Sequence, residues 1–408
     1  MTHYDALETR DPARRAEDEA RALGALIAHA REQADGVTRH LADREISRQV
    51  DRAELATLPV LRKSDLGAAQ KAHPPFGGFV AARTHHAFQS PGPIYEPGGT
   101  GADWYRMGRF LYAAGLNHDD LVQNCFSYHM TPAGMMFENG AASVGARVFP
   151  AGTGQTELQA EAMVHLGVTA YAGTPDYLKV ILDKASELGL SPRVTRAVVG
   201  GGALFPSLRA EYADRGITCT QCYATADLGN IAYESAGPDG AAPEGMIVDE
   251  GVIVEIVRPG TGDPVAEGEV GEVVVTTLNR DYPLIRFATG DLSAVLPGVS
   301  ACGRTNMRIK GWMGRADQTA KVKGMFIRPE QVAALVARHP EVARARVVVT
   351  RADESDRMQV RVESDGVDAD AVAASVREVM KLGGEVEIVA PGSLPNDGKV
   401  IDDQRSYD

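Results

Sequence analysis

The sequence predicts an α/β fold, and two patterns indicate it. Between residues 121 and 223, strand-like apolar runs alternate with helical stretches; the runs are LVQNCF, ARVFPA, VTAYAG, RAVVGG and ITCTQCYA. This alternation predicts a mainly parallel sheet covered by helices, with ligand sites at the carboxyl ends of its strands. After residue 245, GVIVEIV and EVVVTTL flank a Gly- and Pro-rich segment. They predict antiparallel strands in a small, barrel-like sheet that completes a large N-terminal domain.

The helix boundaries of the large domain are indicated by capping residues. A surface helix is predicted over residues 11–35, because Asp11 can cap its start, Pro12 suits its first turn, and apolar residues recur on one face. Two later helices are predicted to begin at Thr131-Pro132 and Thr174-Pro175, where a capping residue precedes a proline.

The last hundred residues predict a separate small α+β module. From Gly314 the chain continues through the helix PEQVAALVAR, the strands RARVVVT and MQVRV, a helix with Val372 and Val376 on its apolar face, and the strand EVEIV. We therefore expect a large domain over residues 1–313 and a small, mobile C-terminal domain over residues 314–408.

Composition excludes several classes of protein. The net charge of −13 argues against a nucleic-acid partner bound through its phosphates. No apolar run approaches the roughly 20 residues of a membrane span, and the polar, acidic N-terminus does not resemble a signal peptide. The interpretation is a cytoplasmic protein without a membrane partner. Cys219 and Cys222 form a C-x-x-C pair, which we interpret as core packing because no second pair or nearby His completes a zinc site.

Three motifs in order carry a family resemblance. YPLIRFATGDL (282–292), GRADQTAKVKGMFIRPEQV (314–332) and the terminal LPNDGKV resemble the adenylate-forming ligases, in their phenylacetate–CoA ligase branch. The resemblance covers the chain from about residue 58 to its tail. It implies an enzyme that activates a carboxylate with ATP as an acyl-AMP, and it implies ATP, Mg²⁺ and coenzyme A as cofactors or co-substrates. A homodimer is also what the family leads us to expect.

The resemblance implies that Lys399 is the main catalytic side chain. It follows Gly398 in the terminal loop and matches the family's catalytic lysine. A compact ammonium group would stabilise the charge that shifts between the carboxylate and the α-phosphate during adenylation. Asp317, in GRAD, matches the hinge about which the small domain rotates between an adenylating pose and a thiol-transfer pose.

The nucleotide site is implied by four further segments. By resemblance, Asp291 accepts hydrogen bonds from the ribose hydroxyls and Arg315 contacts the nucleotide. In QCYATAD, Tyr223 stacks on the adenine beside Ala224, and Thr225 binds the phosphate. The loop that contains Gly202 and Ala203 covers the other adenine face, and Gly98, Gly99 and Thr100 cradle phosphate with their N–H groups.

Two positions depart from the family pattern in this site. Asp227 stands where the family has a Glu that contacts Mg²⁺, and it remains a hard-oxygen ligand with a shorter reach. The phosphate loop lacks the lysine that usually ends it, and Glu96 is nearby. We expect weakened binding of the β- and γ-phosphates or compensation by Arg106 or Arg109.

The acyl and CoA sites are implied less specifically. Phe126, Tyr128 and His129 follow a predicted strand and, with Gly201, would wall a pocket for an aryl or other flat, apolar acid. In the thiol-transfer pose Lys323 and Gly324, of KVKG, would approach CoA. A solvated lysine pair is an equally good interpretation of Lys321 and Lys323.

These assignments favour an ATP-dependent ligase that joins an aryl acid to CoA. Two alternatives stay open at this point. The acceptor of the acyl group could instead be an amine, a hydroxyl or a carrier-protein thiol. The chain could also be a degenerate ligase kept as an acyl- or nucleotide-binding protein. The altered phosphate loop and Ala226, which stands where the family has a hydroxyl residue, favour this alternative, and the intact Lys399, Asp291 and Asp317 oppose it.

Overall fold

The computed structural model describes residues 3–90, 94–202, 204–235, 243–316, 320–322, 325–352 and 355–405. In these ranges a 3-10 helix covers Ala6–Thr9, and the α-helices are α1 (Pro12–Gln33), α2 (Asp35–Leu41), α3 (Arg52–Thr57), α4 (Lys63–Ala72), α5 (Gly108–Ala113), α6 (Ala133–Ser143), α7 (Thr156–His165), α8 (Pro175–Glu187), α9 (Pro206–Asp214), α10 (Pro329–Ala337) and α11 (Ala369–Met380).

The strands within the same ranges are β1 (Leu61–Arg62), β2 (His86–Ser90), β3 (Ile94–Gly98), β4 (Leu121–Asn124), β5 (Arg147–Phe149), β6 (Ala170–Gly173), β7 (Arg196–Val199), β8 (Thr218–Thr225), β9 (Gly229–Tyr233), β10 (Met246–Val248), β11 (Val252–Val257), β12 (Gly271–Thr277), β13 (Phe287–Ser293), β14 (Val295–Leu296), β15 (Arg308–Ile309), β16 (Ala320–Val322), β17 (Met325–Ile327), β18 (Arg344–Ala352), β19 (Ser355–Glu363), β20 (Glu385–Val389) and β21 (Ile401–Asp403).

The largest sheet confirms the predicted parallel architecture. Its order is β14-β15-β10-β9-β8-β7-β6-β4-β5. The five strands predicted from the apolar runs pair in parallel from β5 through β4, β6 and β7 to β8, and β8 then pairs antiparallel with β9. Because the parallel strands point the same way, their carboxyl ends and the loops that follow them lie along one edge of the sheet.

The predicted helix starts are confirmed for α1 and α8, whereas α6 begins one residue later than predicted, with Pro132 and not Thr131 at its N-cap position. Asp11 caps α1 by accepting hydrogen bonds from the N–H groups of Ala13 and Arg14. Thr174 precedes α8 with Pro175 in the first turn, although its side chain makes no capping hydrogen bond. α6 begins at Ala133, one residue after Pro132. The proline's fixed φ therefore suits the entry to both helices.

Apolar clusters cover both faces of the parallel sheet. Along β6, Ala170 and Ala172 belong to one cluster and Tyr171 to the other, as the two-residue period of a strand requires. The same alternation sends Cys222 into the first cluster and Cys219 into the second. Two sulfurs on opposite faces cannot share a metal, so the packing interpretation of C-x-x-C is confirmed. Burial raises the pKa of the Cys219 thiol to about 12 and raises that of Cys222 further.

The smaller sheet of the large domain is open among the described residues. Its order is β1-β13-β12-β11, so β1 and β11 are its edges. We expected a barrel-like sheet, but these four strands form an open sheet. The edge strand β1 is only two residues long. The predicted strands GVIVEIV and EVVVTTL are β11 and β12, and they are neighbours.

The C-terminal residues form the predicted α+β module. Its sheet has the order β20-β19-β18-β21, with β18 and β19 antiparallel over nine residue pairs. Helices α10 and α11 pack on one face, where Val332, Val372 and Val376 meet Val347 and Val360 in a shared core. A short hairpin, β16–β17, precedes the module.

Contacts divide the chain into two compact units. Unit 1 contains residues 1–254, 275–287 and 296–311, and unit 2 contains residues 255–274, 288–295 and 312–408. Unit 2 thus combines the C-terminal module with two segments of the preceding sheet region. The sequence boundary between residues 313 and 314 and the mobility of the small domain stay predictions, and Asp317 lies outside the described residues. None of the described helices is both long and apolar enough to span a bilayer.

Candidate active site

In unit 2, Asp291 lies in β13 beside a returning backbone segment. Trp312 to Ala316 runs alongside residues 290–292, with backbone hydrogen bonds between Leu292 and Gly314 and from Ala316 to Gly290. This pairing brings two donors to Asp291 Oδ1: Trp312 Nε1 at 3.1 Å and an Arg315 guanidinium nitrogen at 2.9 Å. The Asp291 carboxylate is mostly buried, whereas the Arg315 side chain is half exposed. Two residues predicted to bind nucleotide are therefore in direct contact.

Lys399 lies in the turn that enters β21 and is half exposed. Its Nζ is 3.2 Å from Asp402 Oδ1, and its backbone N–H donates to Asp397 Oδ1 at 3.0 Å. Lys399 and Arg315 line one cavity of about 240 Å³, which Asp397 and Asp402 also border. Within unit 2 the structure thus brings the predicted catalytic lysine and Arg315, the partner of Asp291, to one cavity. The predicted CoA residues Lys323 and Gly324 lie outside the described residues.

In unit 1, Asp227 lies in the tight turn between β8 and β9 and is buried. Its Oδ2 accepts a hydrogen bond from Lys63 Nζ at 3.0 Å, and Lys63 is the first residue of α4. The side chain of Asp227 is 1% exposed and that of Lys63 is 38% exposed. Asp227 Oδ1 is buried and has no hydrogen-bond partner among the described residues. The predicted metal ligand is thus neutralised on one oxygen by a lysine from a distant part of the sequence.

The two oxygens of the Asp227 carboxylate differ in whether they could bind a magnesium ion. Magnesium ions that are shared with a nucleotide take one or two carboxylates together with phosphate oxygens. The described ranges contain no group of three His, Cys, Asp or Glu side chains that could hold a metal. Because Lys63 takes Oδ2, Asp227 Oδ1 remains as one unpartnered hard oxygen. The residues fit an ion held by this oxygen and by the ligand's phosphates, and the metal role of Asp227 stays a prediction.

A second buried carboxyl, Glu96, interacts electrostatically with Asp227 and Lys63. It lies on β3 and accepts hydrogen bonds from the backbone N–H of Ser90, at 3.1 Å, and from the Ser90 hydroxyl. Burial is the main reason why its pKa is raised to about 7, and the negative charge of Asp227 adds to the effect. Near neutral pH this part of unit 1 therefore contains a carboxyl group that is only partly ionised.

Gly98, the last residue of β3, and Gly99 are each packed against an aromatic side chain. A Cβ atom at Gly99 would lie 2.0 Å from Trp104 Nε1, and one at Gly98 would lie 2.8 Å from the Phe88 ring. Trp104 Nε1 in turn donates to Asp281 at 3.2 Å. Close packing thus accounts for both glycines without a ligand. The phosphate-binding role of Gly98, Gly99 and Thr100 stays a prediction.

Two arginines that could have replaced the missing lysine have protein partners. Arg106 donates to the carbonyl oxygens of Leu228 and Asn230, and Arg109 pairs with Asp5 at 2.6 Å. Both also lie against Asp249, which is fully buried. Arg106 therefore holds the β8–β9 turn that carries Asp227, rather than pointing to solvent.

The predicted adenine segment and glycine loop are neighbours in unit 1. Tyr223 is buried in β8, and the Thr225 hydroxyl accepts a hydrogen bond from the Leu228 N–H at 3.2 Å. Gln221, also on β8, donates to the Gly202 carbonyl at 2.8 Å and so ties the glycine loop to the strand. Ala224 lies at a β-bulge, and Ala203 lies outside the described residues.

The predicted acyl-pocket residues divide into buried and exposed members. Phe126 is buried and stacks on Phe137 with ring centroids 4.3 Å apart. A Cβ atom at Gly201 would lie 3.7 Å from the Phe126 ring. The Tyr128 hydroxyl accepts a hydrogen bond from Asn124 at 2.8 Å. His129 is exposed. Phe126, Tyr128 and Gly201 are thus positioned by packing at the carboxyl ends of the parallel strands.

Several residues of these sites were missed by the sequence analysis. Lys63 and Trp312 were not assigned a role, and Arg346, which contacts the Lys399 turn, was part of a predicted strand only. Lys63 had one available signal, because it lies in LPVLRKSDL at the start of the family resemblance. The other two had none, since nothing in the sequence next to Trp312 or Arg346 indicates its partner.

Comparisons with known proteins agree with this architecture. Residues 105–279 match the family model described as AMP-binding enzyme. Over 332 residues the chain is 29% identical to the phenylacetate-coenzyme A ligase of Thermus thermophilus, covering 76% of this chain and 72% of that protein. Over 273 residues it is 30% identical to the phenylacetate-coenzyme A ligase of Escherichia coli, covering 63% of this chain and 60% of that protein.

A solved structure shows the same fold along nearly the whole chain. It is an open conformation of 2-hydroxyisobutyryl-CoA ligase in complex with 2-HIB-AMP and CoA, with a TM-score of 0.71 and 24% sequence identity. The match covers 95% of this chain and 91% of that one. The AMP-binding match and the phenylacetate-coenzyme A ligase relatives, together with the motifs, thus support the adenylate-forming superfamily, in its phenylacetate–CoA ligase-like branch, and the solved structure shows the shared fold.

Proposed function

We propose that the chain is an ATP-dependent acid–CoA ligase that works through an acyl-AMP. In the first step a carboxylate oxygen attacks the α-phosphorus of ATP, which gives acyl-AMP and releases pyrophosphate. In the second step the CoA thiolate attacks the acyl carbon, forming the thioester and releasing AMP. The phenylacetate-coenzyme A ligases that match over 72% of their length support this reaction class.

The observation that carries the proposal is the grouping of Lys399, Arg315 and Asp291. Arg315 is paired with Asp291 at 2.9 Å and shares a cavity with Lys399. A carboxylate paired with one cation, with a second cation lining the same cavity as the first, suits a ligand that presents sugar hydroxyls to the carboxylate and a phosphate to the cations. Lys399 would stabilise the charge on the α-phosphate in the transition state, which typically contributes on the order of 10²–10³ in rate.

Magnesium and CoA are parts of the same proposal. A magnesium ion would neutralise phosphate charge, and Asp227 Oδ1 is the oxygen that would hold it in unit 1. CoA is proposed as the acceptor because the relatives over most of the chain are CoA ligases. The hinge role of Asp317 and the CoA contacts of Lys323 and Gly324 are proposed from the resemblance alone.

An aryl acid is the proposed substrate. The support is the aromatic surface at the strand ends, where Phe126 packs on Phe137 and faces the glycine at position 201. Gly201 has a φ of +68°, which a side-chain-bearing residue adopts at a cost, so the wall stays open next to Phe126. The missing side chain at Gly201 leaves room of about one methyl group beside Phe126, and an aryl acid would lie against this aromatic surface.

The first test is pyrophosphate release from ATP with a panel of acids in the absence of CoA. The panel should contain phenylacetate, benzoate and 2-hydroxyisobutyrate. Lys399→Ala should lower the rate at least about 10²-fold while ATP affinity stays within a few fold. Lys381→Asn is the matched control, because it removes an exposed lysine of the same module and Asn tolerates its left-handed φ of 55°. Equal activity of Lys399→Ala and the control would overturn the catalytic assignment.

Mass analysis of the products distinguishes the remaining alternatives. With CoA present, a thioester supports the ligase, whereas an unchanged adenylate points to an amine, hydroxyl or carrier-protein acceptor. If no acid of the panel causes pyrophosphate release although the protein still binds nucleotide, the result would favour a binding protein. Preference for 2-hydroxyisobutyrate over both aryl acids would refute the aryl assignment while leaving the reaction class intact.

A further inference from the structure

The turn that carries Lys399 is held by a single buried arginine of the module's own sheet. Arg346 lies on β18 and is 5% exposed. Its Nε donates to the Lys399 carbonyl oxygen at 2.8 Å, and its terminal nitrogen pairs with Asp397 Oδ1. The same Asp397 oxygen accepts the Lys399 N–H at 3.0 Å. One guanidinium therefore contacts the residues on both sides of Gly398, the glycine with a φ of +70° that makes the turn possible.

The strand places this arginine on the face toward the turn. Along β18, Ala345, Val347 and Val349 point into the module core, so Arg344 and Arg346 point to the opposite face. Arg344 donates to the carbonyl oxygens of Leu394 and Pro395, at 3.4 and 3.1 Å. The register is continued by β21, whose Ile401 pairs in parallel with Val347.

The start of the same turn is fixed by two further contacts. The buried Glu363 accepts the Leu394 N–H at 2.7 Å. Asn396 Oδ1 accepts the Val270 N–H at 3.0 Å. Among the described residues of unit 2, those from 394 to 397 and Lys399 thus each have a hydrogen-bond partner. Two side chains reach across Gly398, because Asp397 accepts the Lys399 N–H and Arg346 contacts both Asp397 and Lys399.

We propose that Arg346 is the positioning residue of Lys399. The inference rests on the proposed function, in which the Lys399 ammonium must be held beside the reacting phosphate. The Lys399 side chain is flexible, so fixing its backbone limits the positions that the ammonium samples and raises the fraction that is productive. The contact needs a planar guanidinium group that donates to the Lys399 carbonyl oxygen and to Asp397 at the same time. A lysine ammonium lacks this geometry.

The proposal predicts an effect on one half-reaction. Arg346→Ala should lower kcat for pyrophosphate release about 10- to 100-fold, with KM for ATP and for the acid unchanged within about threefold. The rate of thioester formation from preformed acyl-AMP and CoA should change less than threefold. Arg346→Lys should not restore adenylation. A purely structural role would instead lower both half-reactions together, in proportion to the folded fraction.

The matched control is Arg361→Ala. Arg361 lies on the neighbouring strand β19 and is paired with Glu387 at 2.7 Å, so its loss removes an arginine ion pair of the same sheet without touching the turn. It should leave both half-reactions within about twofold. Equal loss in Arg346→Ala and Arg361→Ala would overturn the proposal.

Hydrogen exchange separates this inference from the proposed function. In Arg346→Ala the amides of residues 397–400 should exchange at least about tenfold faster than in the unsubstituted protein, and in Arg361→Ala they should not. Normal exchange in Arg346→Ala overturns the positioning role whatever the enzyme does. Faster exchange with no change in adenylation, while Lys399→Ala abolishes it, overturns the link to catalysis. Unchanged activity of Lys399→Ala overturns the proposed function instead.

Discussion

At the scale of single residues, the pair Lys63–Asp227 has an uneven environment. Asp227 is buried, and one of its oxygens has no hydrogen-bond partner in the part of the chain that the structure describes, while 38% of the Lys63 side chain is exposed. A buried carboxylate without any partner loses its hydration and gains nothing in return, whereas an exposed ammonium without a partner is simply rehydrated. The pair therefore matters mainly to Asp227.

We expect Lys63→Ala to lower the stability of unit 1 by about 1–3 kcal/mol, because it leaves Asp227 unpartnered. Thermal unfolding measures the effect. Lys71→Ala, an exposed lysine at the other end of α4, is the control and should be nearly neutral. Adding Asp227→Asn to Lys63→Ala should recover part of the loss, and a fully additive double variant would show that the two side chains do not interact.

Glu96 gives a pH dependence whose sign follows from its burial. Its pKa is raised to about 7 in the fold, so the fold favours the protonated form. This contribution is fully present below the pKa of the unfolded chain, about 4.5, and is lost as pH rises through about 7. Glu96→Gln should therefore become progressively more stable than the unsubstituted protein between pH 5 and pH 8, by up to about 3 kcal/mol. A difference in Tm that does not change with pH would contradict this.

Residue roles could be predicted from sequence only where the partners are close in the chain or belong to a contiguous motif. Asp291 and Arg315 lie 24 residues apart in recognisable motifs, and they do meet. Lys63 and Asp227 are separated by 164 residues, and nothing in either neighbourhood indicates the other. Likewise, the hydrogen bond from the Arg346 guanidinium to the Lys399 carbonyl oxygen depends on the register between β18 and β21. No local sequence pattern specifies this register.

At the scale of elements, the residues around Glu96 differ most from their interpretation as part of a loop. Ile94–Gly98 form strand β3, which pairs antiparallel with β2, so that His86 lies opposite Gly98 and Phe88 opposite Glu96. Pro97 and Gly98 would ordinarily argue against a strand, but this two-stranded sheet has only edge strands, where a missing N–H is tolerated. The long apolar strands and capped helices were predictable because their periodicity is strong over many residues.

The Trp104 packing predicts different outcomes for two neighbouring glycines. Gly99→Ala should destabilise unit 1 by about 1–3 kcal/mol, since its Cβ would overlap the indole. Gly101→Ala, with a Cβ at an ordinary 3.8 Å from the same ring, is the control and should be nearly neutral. The chain has two tryptophans, so in a Trp312→Phe background the fluorescence spectrum reports Trp104 alone. An unshifted spectrum and Tm for Gly99→Ala would refute the packing account.

At the scale of the whole molecule, the N-terminal segment is joined to the rest of unit 1 by buried hydrogen bonds and ion pairs. Glu8 is buried and contacts residues from two distant parts of the chain. Its Oε1 accepts hydrogen bonds from the Tyr233 hydroxyl, at 2.7 Å, and from Arg304, 296 positions away in sequence. Arg15 donates to the Thr305 carbonyl and pairs with Glu250 at 3.0 Å in the same region. The segment that sequence analysis treated as a polar terminus is thus a structural part of unit 1.

Glu8→Ala should lower the stability of unit 1 by about 3–5 kcal/mol, because it leaves the Arg304 guanidinium, 3% exposed, without its carboxylate. Urea denaturation followed by circular dichroism measures the loss. Glu17→Ala, an exposed carboxylate on α1, is the control and should change stability by less than about 0.5 kcal/mol. A loss for Glu8→Ala no larger than that of the control would show that solvent or Ser235 compensates.

The distribution of cysteines has a practical consequence for following the proposed domain rotation. Burial raises the pKa of the thiols of Cys125, Cys219 and Cys222. Cys302 is half-buried, and hydrogen bonds from Ser300 and Arg304 outweigh burial and lower the pKa of its thiol. A maleimide dye at near-neutral pH should therefore react first at Cys302 in unit 1. One cysteine added to the C-terminal module would then carry the second dye for single-molecule energy transfer, and the native cysteines need not be replaced.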